Sequence, residues 1–155
     1  LLDDVRQRFF SPMISRTPRA VGVELELIPV HASTRLPALA RGDAGASPAD
    51  VLSRLGKREG WLEKSVESDP PSWKLGDGAF ISFEPGGQIE ISSAPHASAS
   101  SAIDATQALV GMIRREMTAA DIALLSLGVD PSHGIGAGPW QTHRDRCTGM
   151  HLVFD

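Results

Sequence analysis

The feature that most constrains the fold is segment 80–95, in which alternating apolar and polar residues flank Pro85-Gly86-Gly87. Alternation with a period of two is typical of a strand that buries one face. Proline removes a donor from the strand ladder, and paired glycines let the backbone adopt positive φ, as in a bulge or a sharp bend. The segment therefore predicts two strand arms on either side of a kinked turn.

The second arm displays polar side chains on one face and isoleucines on the other, because residues two apart on a strand point the same way. The polar set is Gln88, Glu90 and Ser92, and the apolar set is Ile89 and Ile91. Glu84 stands at the mouth of the turn. Two carboxylates and an amide thus converge on this kinked strand.

A second glutamate-bearing strand is predicted over residues 20–30, where Glu24 and Glu26 share one face. Two same-face residues lie roughly 7 Å apart along a strand. Like charges at that distance repel unless a cation lies between them. If both strands belong to one sheet, four carboxylates form a cluster of hard oxygen ligands that suits Mg²⁺. These are Glu24, Glu26, Glu84 and Glu90. Glu24 and Glu26 taken alone are equally compatible with a solvated strand face.

These motifs together resemble the N-terminal half of the glutamate–cysteine ligases of plant and bacterial type, a family that includes the γ-glutamylcysteine ligases of ergothioneine synthesis. Residues 22–26 and 82–92 carry most of the resemblance, and the run from Glu84 to Glu90 is its most specific part. Residues 124–131, an apolar strand followed by glycine and proline, and residues 148–152 are also similar to the family.

The resemblance implies ATP-dependent ligation of glutamate to cysteine through an acyl-phosphate, with ATP and Mg²⁺ as cofactors. It implies that the four glutamates bind the metal directly or through water, and that Glu24, Glu84 and His151 serve catalysis. It further implies that Gln88 and His151 contact the nucleotide or a substrate. His151 is equally compatible with a structural role.

Enzymes of this family are normally more than twice as long, so residues 1–155 are expected to form the N-terminal part of a longer ligase catalytic domain. One alternative is a non-catalytic half-domain that binds glutamate or nucleotide and needs a partner chain. Another is a related ligase that uses a different amine.

Composition places the chain among soluble globular proteins, since 41% of its 155 residues are hydrophobic and 22% are charged. A chain of this length is expected to form a single domain with a sizeable core. The net charge of −4 gives no reason to expect nucleic acid or an anionic membrane as a partner. No apolar run approaches the roughly 20 residues that span a bilayer. Cys147 is the single cysteine, which excludes an internal disulfide and favours the cytoplasm.

The predicted fold is α+β, with an antiparallel sheet that carries helices on one face and carboxylates on the other. The resemblance implies that this sheet is similar to the catalytic sheet of glutamine synthetase. Helices are predicted over 2–10, 48–59 and 98–120, and further strands over 72–75, 122–128 and 148–155. Segment 61–71 is predicted to be irregular or a weak strand, and 32–47 and 129–142 to be loops.

The longest predicted helix, over residues 98–120, has an apolar stripe that is expected to pack on the back of the sheet. The stripe comprises Ile103, Thr106, Leu109, Val110, Ile113 and Met117. Ser101 and Asp104 resemble a capping box at its start. The last predicted strand, 148–155, exposes an edge, which predicts self-association.

Overall fold

The computed structural model describes residues 2–10, 19–42, 46–66 and 69–129, and its core is one antiparallel sheet of six strands. The strands are β1 Glu24–His31, β2 Leu62–Val66, β3 Asp69–Lys74, β4 Phe80–Phe83, β5 Ile89–Ser92 and β6 Ile122–Leu125. The helices are α1 Leu2–Val5, which continues as a π-helical turn over Arg6–Phe10, α2 Pro48–Glu59 and α3 Ala99–Ala119. The strand order is β2-β3-β4-β5-β1-β6. The predicted α+β class and the antiparallel sheet are confirmed.

Helices α2 and α3 cover one face of the sheet, and the core lies between them and that face. Burial alternates along β5 and β6, because every second residue points toward the helices. In β1, β3 and β4, consecutive residues are buried, so parts of both sheet faces are covered. The sheet supplies Leu27, Trp73, Ile81, Phe83, Ile89 and Ile91, and the helices supply Leu52, Leu55, Val110, Ile113 and Met117. Burial of each large apolar side chain contributes about 1.5–3 kcal/mol.

The predicted stripe of α3 is correct except at one position. Thr106, Val110, Ile113 and Met117 are buried, whereas Ile103 is 44% exposed. Ala102 takes the core position instead, because it lies four residues before Thr106 and continues the buried row. Ile103 is rotated by one residue, about 100°, away from that row.

The start of α3 also differs from the prediction. Ser98 is the N-cap, and its hydroxyl accepts a hydrogen bond from the Ser101 backbone N–H at 3.2 Å. Ser101 is therefore already inside the helix, and the predicted capping box of Ser101 with Asp104 is wrong. Two serines three residues apart both fit the cap pattern, and the extended backbone at Ser98 decides between them.

Helix α2 begins as predicted, with Ser47 as N-cap and Pro48 in the first turn. The Ser47 hydroxyl accepts from the Asp50 backbone N–H at 3.3 Å, and the Ser47 N–H donates to Asp50 Oδ2 at 3.1 Å. This is a reciprocal capping box. Gly60 ends the helix in the left-handed conformation, with φ 73°.

Replacing Ser47 by Ala is expected to lower the free energy of unfolding by about 1 kcal/mol, because the Asp50 N–H loses its acceptor. Urea unfolding followed by circular dichroism measures the change. Ser53→Ala, in the middle of the same helix, is the matched control and is expected to leave stability within about 0.5 kcal/mol of the parent. Equal midpoints for the two variants would contradict this role of Ser47.

Helices α2 and α3 also contact each other at the surface. Arg58 Nη2 donates to Glu116 Oε1 at 2.8 Å, and this hydrogen bond lowers the pKa of the Glu116 carboxyl. Both side chains are exposed, so the ion pair adds little to stability. In the described part of the chain, no helix has both the length and the apolar character needed to cross a membrane.

Segment 61–71, predicted to be irregular or a weak strand, contains β2 and the first half of β3. These two strands form an antiparallel pair with a register shift between Lys64 and Val66. Pro70 and Pro71 are tolerated because β3 pairs with β4 only through Trp73 and Lys74, beyond the prolines. Strands β3 and β4 form an antiparallel hairpin, in which Trp73 lies opposite Ile81.

Candidate active face of the sheet

Strands β1 and β5 are antiparallel neighbours, and their register brings glutamates from distant parts of the sequence together. Glu26 lies directly opposite Glu90, and Glu24 lies opposite Ser92. Directly opposed residues share a face, with Cβ atoms roughly 4.5–5.5 Å apart. The alternate residues Leu25 and Leu27 face the helices. We call the side of the sheet that bears Glu24, Glu26 and Glu90 the carboxylate face.

The carboxylate face is the side of the sheet turned away from α2 and α3. Glu24 and Glu26 are exposed, and Glu90 is half-buried. The Ser92 hydroxyl donates to Glu90 Oε1 at 3.1 Å, which fixes one carboxylate oxygen and leaves the other available. Two carboxylates directly opposed on neighbouring strands repel each other. A cation between Glu26 and Glu90 would remove this repulsion.

Two further strands extend the same face. Ser82 of β4 lies opposite Glu90, and Phe80 lies opposite Ser92. Lys74 of β3 lies opposite Phe80, so a positive charge stands in the same transverse row as Glu24. The sequence analysis did not single out Ser82 or Lys74. Strand alternation within β4 would have predicted that Ser82 lies on this face. The position of Lys74 on the face depends on how β3 pairs with β4, which the sequence does not show.

The turn between β4 and β5 places Glu84 one step beyond the last pair of that hairpin, Phe83 with Ile89. The Glu84 N–H donates to the Gln88 carbonyl, and the Gly87 N–H donates to the Glu84 carbonyl, both at 2.8 Å. Gly87 has φ 85°, a conformation that favours glycine. Such a three-residue loop with a left-handed glycine is typical of a tight hairpin with a bulge. Strand alternation puts Glu84 and Gln88 on the carboxylate face, about 7 Å along the strands from Glu90.

The Gln88 side chain folds back over Gly86. A Cβ atom at position 86 would lie 2.6 Å from Gln88 Oε1, so only glycine leaves the amide where it is. Gln88 Oε1 is buried, and the described part of the chain offers it no hydrogen-bond partner. Buried acceptors normally have a partner, so this oxygen is suited to a donor from a bound molecule.

The four predicted metal ligands do not form one closed cage. Glu26 and Glu90 are direct neighbours, and Glu24 lies one row away on the same face, with Glu84 at the turn. In residues 2–10, 19–42, 46–66 and 69–129, no three His, Cys, Asp or Glu side chains are grouped closely enough to hold a metal ion by themselves. Mg²⁺ is usually bound by one or two carboxylates together with waters and phosphate oxygens. The donor set therefore fits Mg²⁺ when a phosphate group supplies further ligands. His151, also predicted to contribute, lies outside the described residues, as does the predicted edge strand 148–155.

Comparison with known proteins gives two matches. The family model described as glutamate-cysteine ligase family 2 matches residues 20–148. The glutamate–cysteine ligase EgtA of Mycolicibacterium smegmatis is 37% identical over 81 residues, which cover 52% of this chain and 19% of that protein. The matched stretch thus spans about a fifth of the length of that relative.

Proposed function

Because this chain belongs to glutamate–cysteine ligase family 2, we propose that it supplies the carboxylate face of an enzyme that joins the γ-carboxylate of glutamate to the amine of cysteine. The observation that carries the proposal is the direct opposition of Glu26 and Glu90 on a sheet face that no described helix covers. Solvated glutamates on an ordinary strand have no reason to be opposed in pairs, because the repulsion costs stability.

The proposed reaction uses ATP and proceeds in two steps. An oxygen of the glutamate γ-carboxylate attacks the γ-phosphorus of ATP, the bond to the bridging oxygen breaks, and ADP leaves. The cysteine nitrogen then attacks the acyl carbon, phosphate departs with the bonding electrons, and the nitrogen loses a proton. Both steps depend mainly on positioning and on stabilisation of charge.

In this proposal the carboxylates hold Mg²⁺ directly or through water, with Glu26 and Glu90 as the central pair and Glu24 and Glu84 on either side. Mg²⁺ held by these carboxylates would neutralise charge on the triphosphate. Glu24 and Glu84 orient the reacting groups. The Ser92 hydroxyl keeps the Glu90 carboxylate facing the site, since it donates to Oε1.

Gln88 is proposed to contact the nucleotide or a substrate, because its side-chain oxygen is buried and unpartnered. His151, outside the described residues, is proposed to do so as well, and to serve catalysis. We also propose that the sheet corresponds to the catalytic sheet of glutamine synthetase, which likewise displays carboxylates on one face. The proposed compartment is the cytoplasm, where the thiol substrate stays reduced.

A second candidate is a half-domain that binds glutamate or nucleotide and reacts only together with a partner chain. This candidate is included because the stretch aligned with the matched ligase spans only 19% of that protein. A third candidate, a related ligase with another amine substrate, uses the same carboxylate face.

A phosphate-release assay with ATP, Mg²⁺ and glutamate, run with cysteine and with a panel of other amines, separates these candidates. Phosphate release that requires both glutamate and cysteine supports the proposed ligase, and a preference for another amine supports the third candidate. Binding of Mn²⁺ and nucleotide without turnover, measured by electron paramagnetic resonance, supports the half-domain. Absence of both turnover and Mn²⁺ binding would contradict a role for the carboxylate face.

A further inference from the structure

A cleft of about 220 Å³ lies on the helix-covered side of the sheet, away from the carboxylate face. It is bounded by α3, by the end of β5 and the segment that follows, and by the hairpin between β3 and β4. We call it the helix-side cleft. Its larger lining residues are Trp61, Leu75, Ile91, His96, Leu109 and Met112.

The helix-side cleft is separate from the proposed reaction site. Ile91 lines the cleft, and its strand neighbours Glu90 and Ser92 point to the other side of the sheet. A molecule in the cleft therefore contacts the back of β5. It does not touch the carboxylates.

The cleft combines apolar walls with one unsatisfied polar group. Asp77, Ser93 and Thr106 also line the cleft, and each side chain makes a hydrogen bond within the protein. His96 Nε2, in contrast, is buried and has no hydrogen-bond partner among the described residues. The His96 backbone is held by two hydrogen bonds of 2.8 Å with Val21, which fix the position of its Cα atom beside the cleft. A buried ring nitrogen without a partner is unfavourable, and a ligand oxygen beside it restores the missing hydrogen bond.

The size of the cleft limits what it can hold. An apolar cavity of about 150 Å³ accommodates benzene, so about 220 Å³ leaves room for one ring and a short polar chain. Four of the walls are apolar side chains from Leu75, Ile91, Leu109 and Met112, which suit such a ring.

We propose that the helix-side cleft is a second binding site, for a small molecule that carries one aromatic or branched apolar group and one carboxylate or hydroxyl. The apolar group packs between α3 and β5, and the oxygen hydrogen-bonds to His96 Nε2. The bound molecule also contacts the segment 93–96. That segment is hydrogen-bonded to residues 21–23, immediately before Glu24.

The test uses 3-phenylpropionate as a probe, titrated into the purified protein without ATP or metal and followed by protein NMR. The expected dissociation constant is in the roughly millimolar range, as for other ligands of this size. Propionate, which lacks the ring, is expected not to bind. Chemical-shift changes are expected at residues 91–96 and 105–112.

Two substitutions locate the probe. Ala105→Phe fills the cleft from α3 and is expected to weaken binding at least tenfold, whereas Ala119→Phe, exposed at the end of the same helix, leaves it unchanged. His96→Leu is close to histidine in volume but removes the ring nitrogen, and weakens binding roughly 5- to 10-fold. If Ala105→Phe does not fold, Ala108→Leu fills the same cleft from the next turn.

If the probe does not bind at about 20 mM, which is roughly 20 times the expected dissociation constant, the proposal is overturned. Binding that survives filling of the cleft, or that is unchanged by His96→Leu, would overturn it as well. Because the readout is binding in the absence of ATP, none of these results bears on the ligase reaction.

Discussion

Replacing Glu90 by Gln is expected to lower kcat/KM for γ-glutamylcysteine formation by about 100-fold or more, while the protein stays as stable as the parent. The substitution keeps the shape of the side chain but removes the charge that faces Glu26 across the strand pair. Activity is expected to fall because the substitution removes one of the two carboxylates that are proposed to hold Mg²⁺. Stability is maintained or rises by about 0.5 kcal/mol, because the repulsion between the opposed carboxylates disappears.

This combination distinguishes a functional carboxylate from a structural one. Steady-state kinetics measures the first effect and thermal unfolding the second. Glu59→Gln is the matched control, since Glu59 lies at the end of α2, on the helix-covered side, and is expected to keep activity within about twofold. Parental activity with an unchanged Mg²⁺ requirement in Glu90→Gln would rule out the proposed role. In the half-domain alternative, the same substitution lowers the affinity for Mn²⁺ and nucleotide.

Replacing Trp73 by Ala is expected to lower the free energy of unfolding by about 3–5 kcal/mol, a large part of the total stability of a domain. Trp73 is fully buried, and its ring meets Phe83 edge to face at 6.2 Å between centroids. Its Nε1 donates to Glu63 Oε2 at 3.0 Å, so truncation also leaves this carboxylate without its partner. A Cβ atom at Gly56 would lie 3.1 Å from the indole, so α2 packs directly on this ring.

Urea unfolding followed by circular dichroism measures the loss, and Phe80→Ala is the matched control. Phe80 is an aromatic residue of the adjacent strand but is 38% exposed on the carboxylate face, so its removal is expected to cost about 1 kcal/mol or less. Trp73→Phe keeps most of the ring and loses the hydrogen bond. Its loss of unfolding free energy is expected to lie between those of Phe80→Ala and Trp73→Ala. A Trp73→Ala variant no less stable than Phe80→Ala would contradict the proposed packing of α2 on this residue.

The sequence predicted those elements whose pattern lies within a few consecutive residues. The alternation of β5 and the start of α2 at Pro48 are visible in short segments, and the structure confirms both. The capping box of Ser47 with Asp50 was not predicted. The resemblance to the ligase family, based on residues 22–26 and 82–92, is confirmed by the match over residues 20–148. Strand β2 and the start of β3 were predicted only as an irregular segment or a weak strand, because two consecutive prolines normally argue against a strand. Pro70-Pro71 fits a strand here because β4 does not pair with that part of β3, and the sequence does not show this.

The candidate site was predictable in composition but not in arrangement. Strand alternation puts Glu24 and Glu26 on the same face of β1 and puts Glu90 on the polar face of β5. It does not show that these two faces lie on the same side of the sheet. Coincidence depends on the register between β1 and β5, which are about 60 residues apart and have no turn to fix their pairing. The burial of His96 Nε2 without a described partner had no sequence signal, because it depends on contacts between distant segments.

Strand β1 is hydrogen-bonded to different partners along its two halves. Residues 24–27 pair with β5, and residues 28–31 pair with β6. An insertion or deletion of one residue within β1 would shift its register with either β5 or β6. Because strand side chains alternate every two residues, the side chains in that half of β1 would then point to the opposite face of the sheet. Its length is therefore fixed from both sides. Variation in length among descendants of this sequence should accumulate in the connection after His31, while β1 keeps the same number of residues.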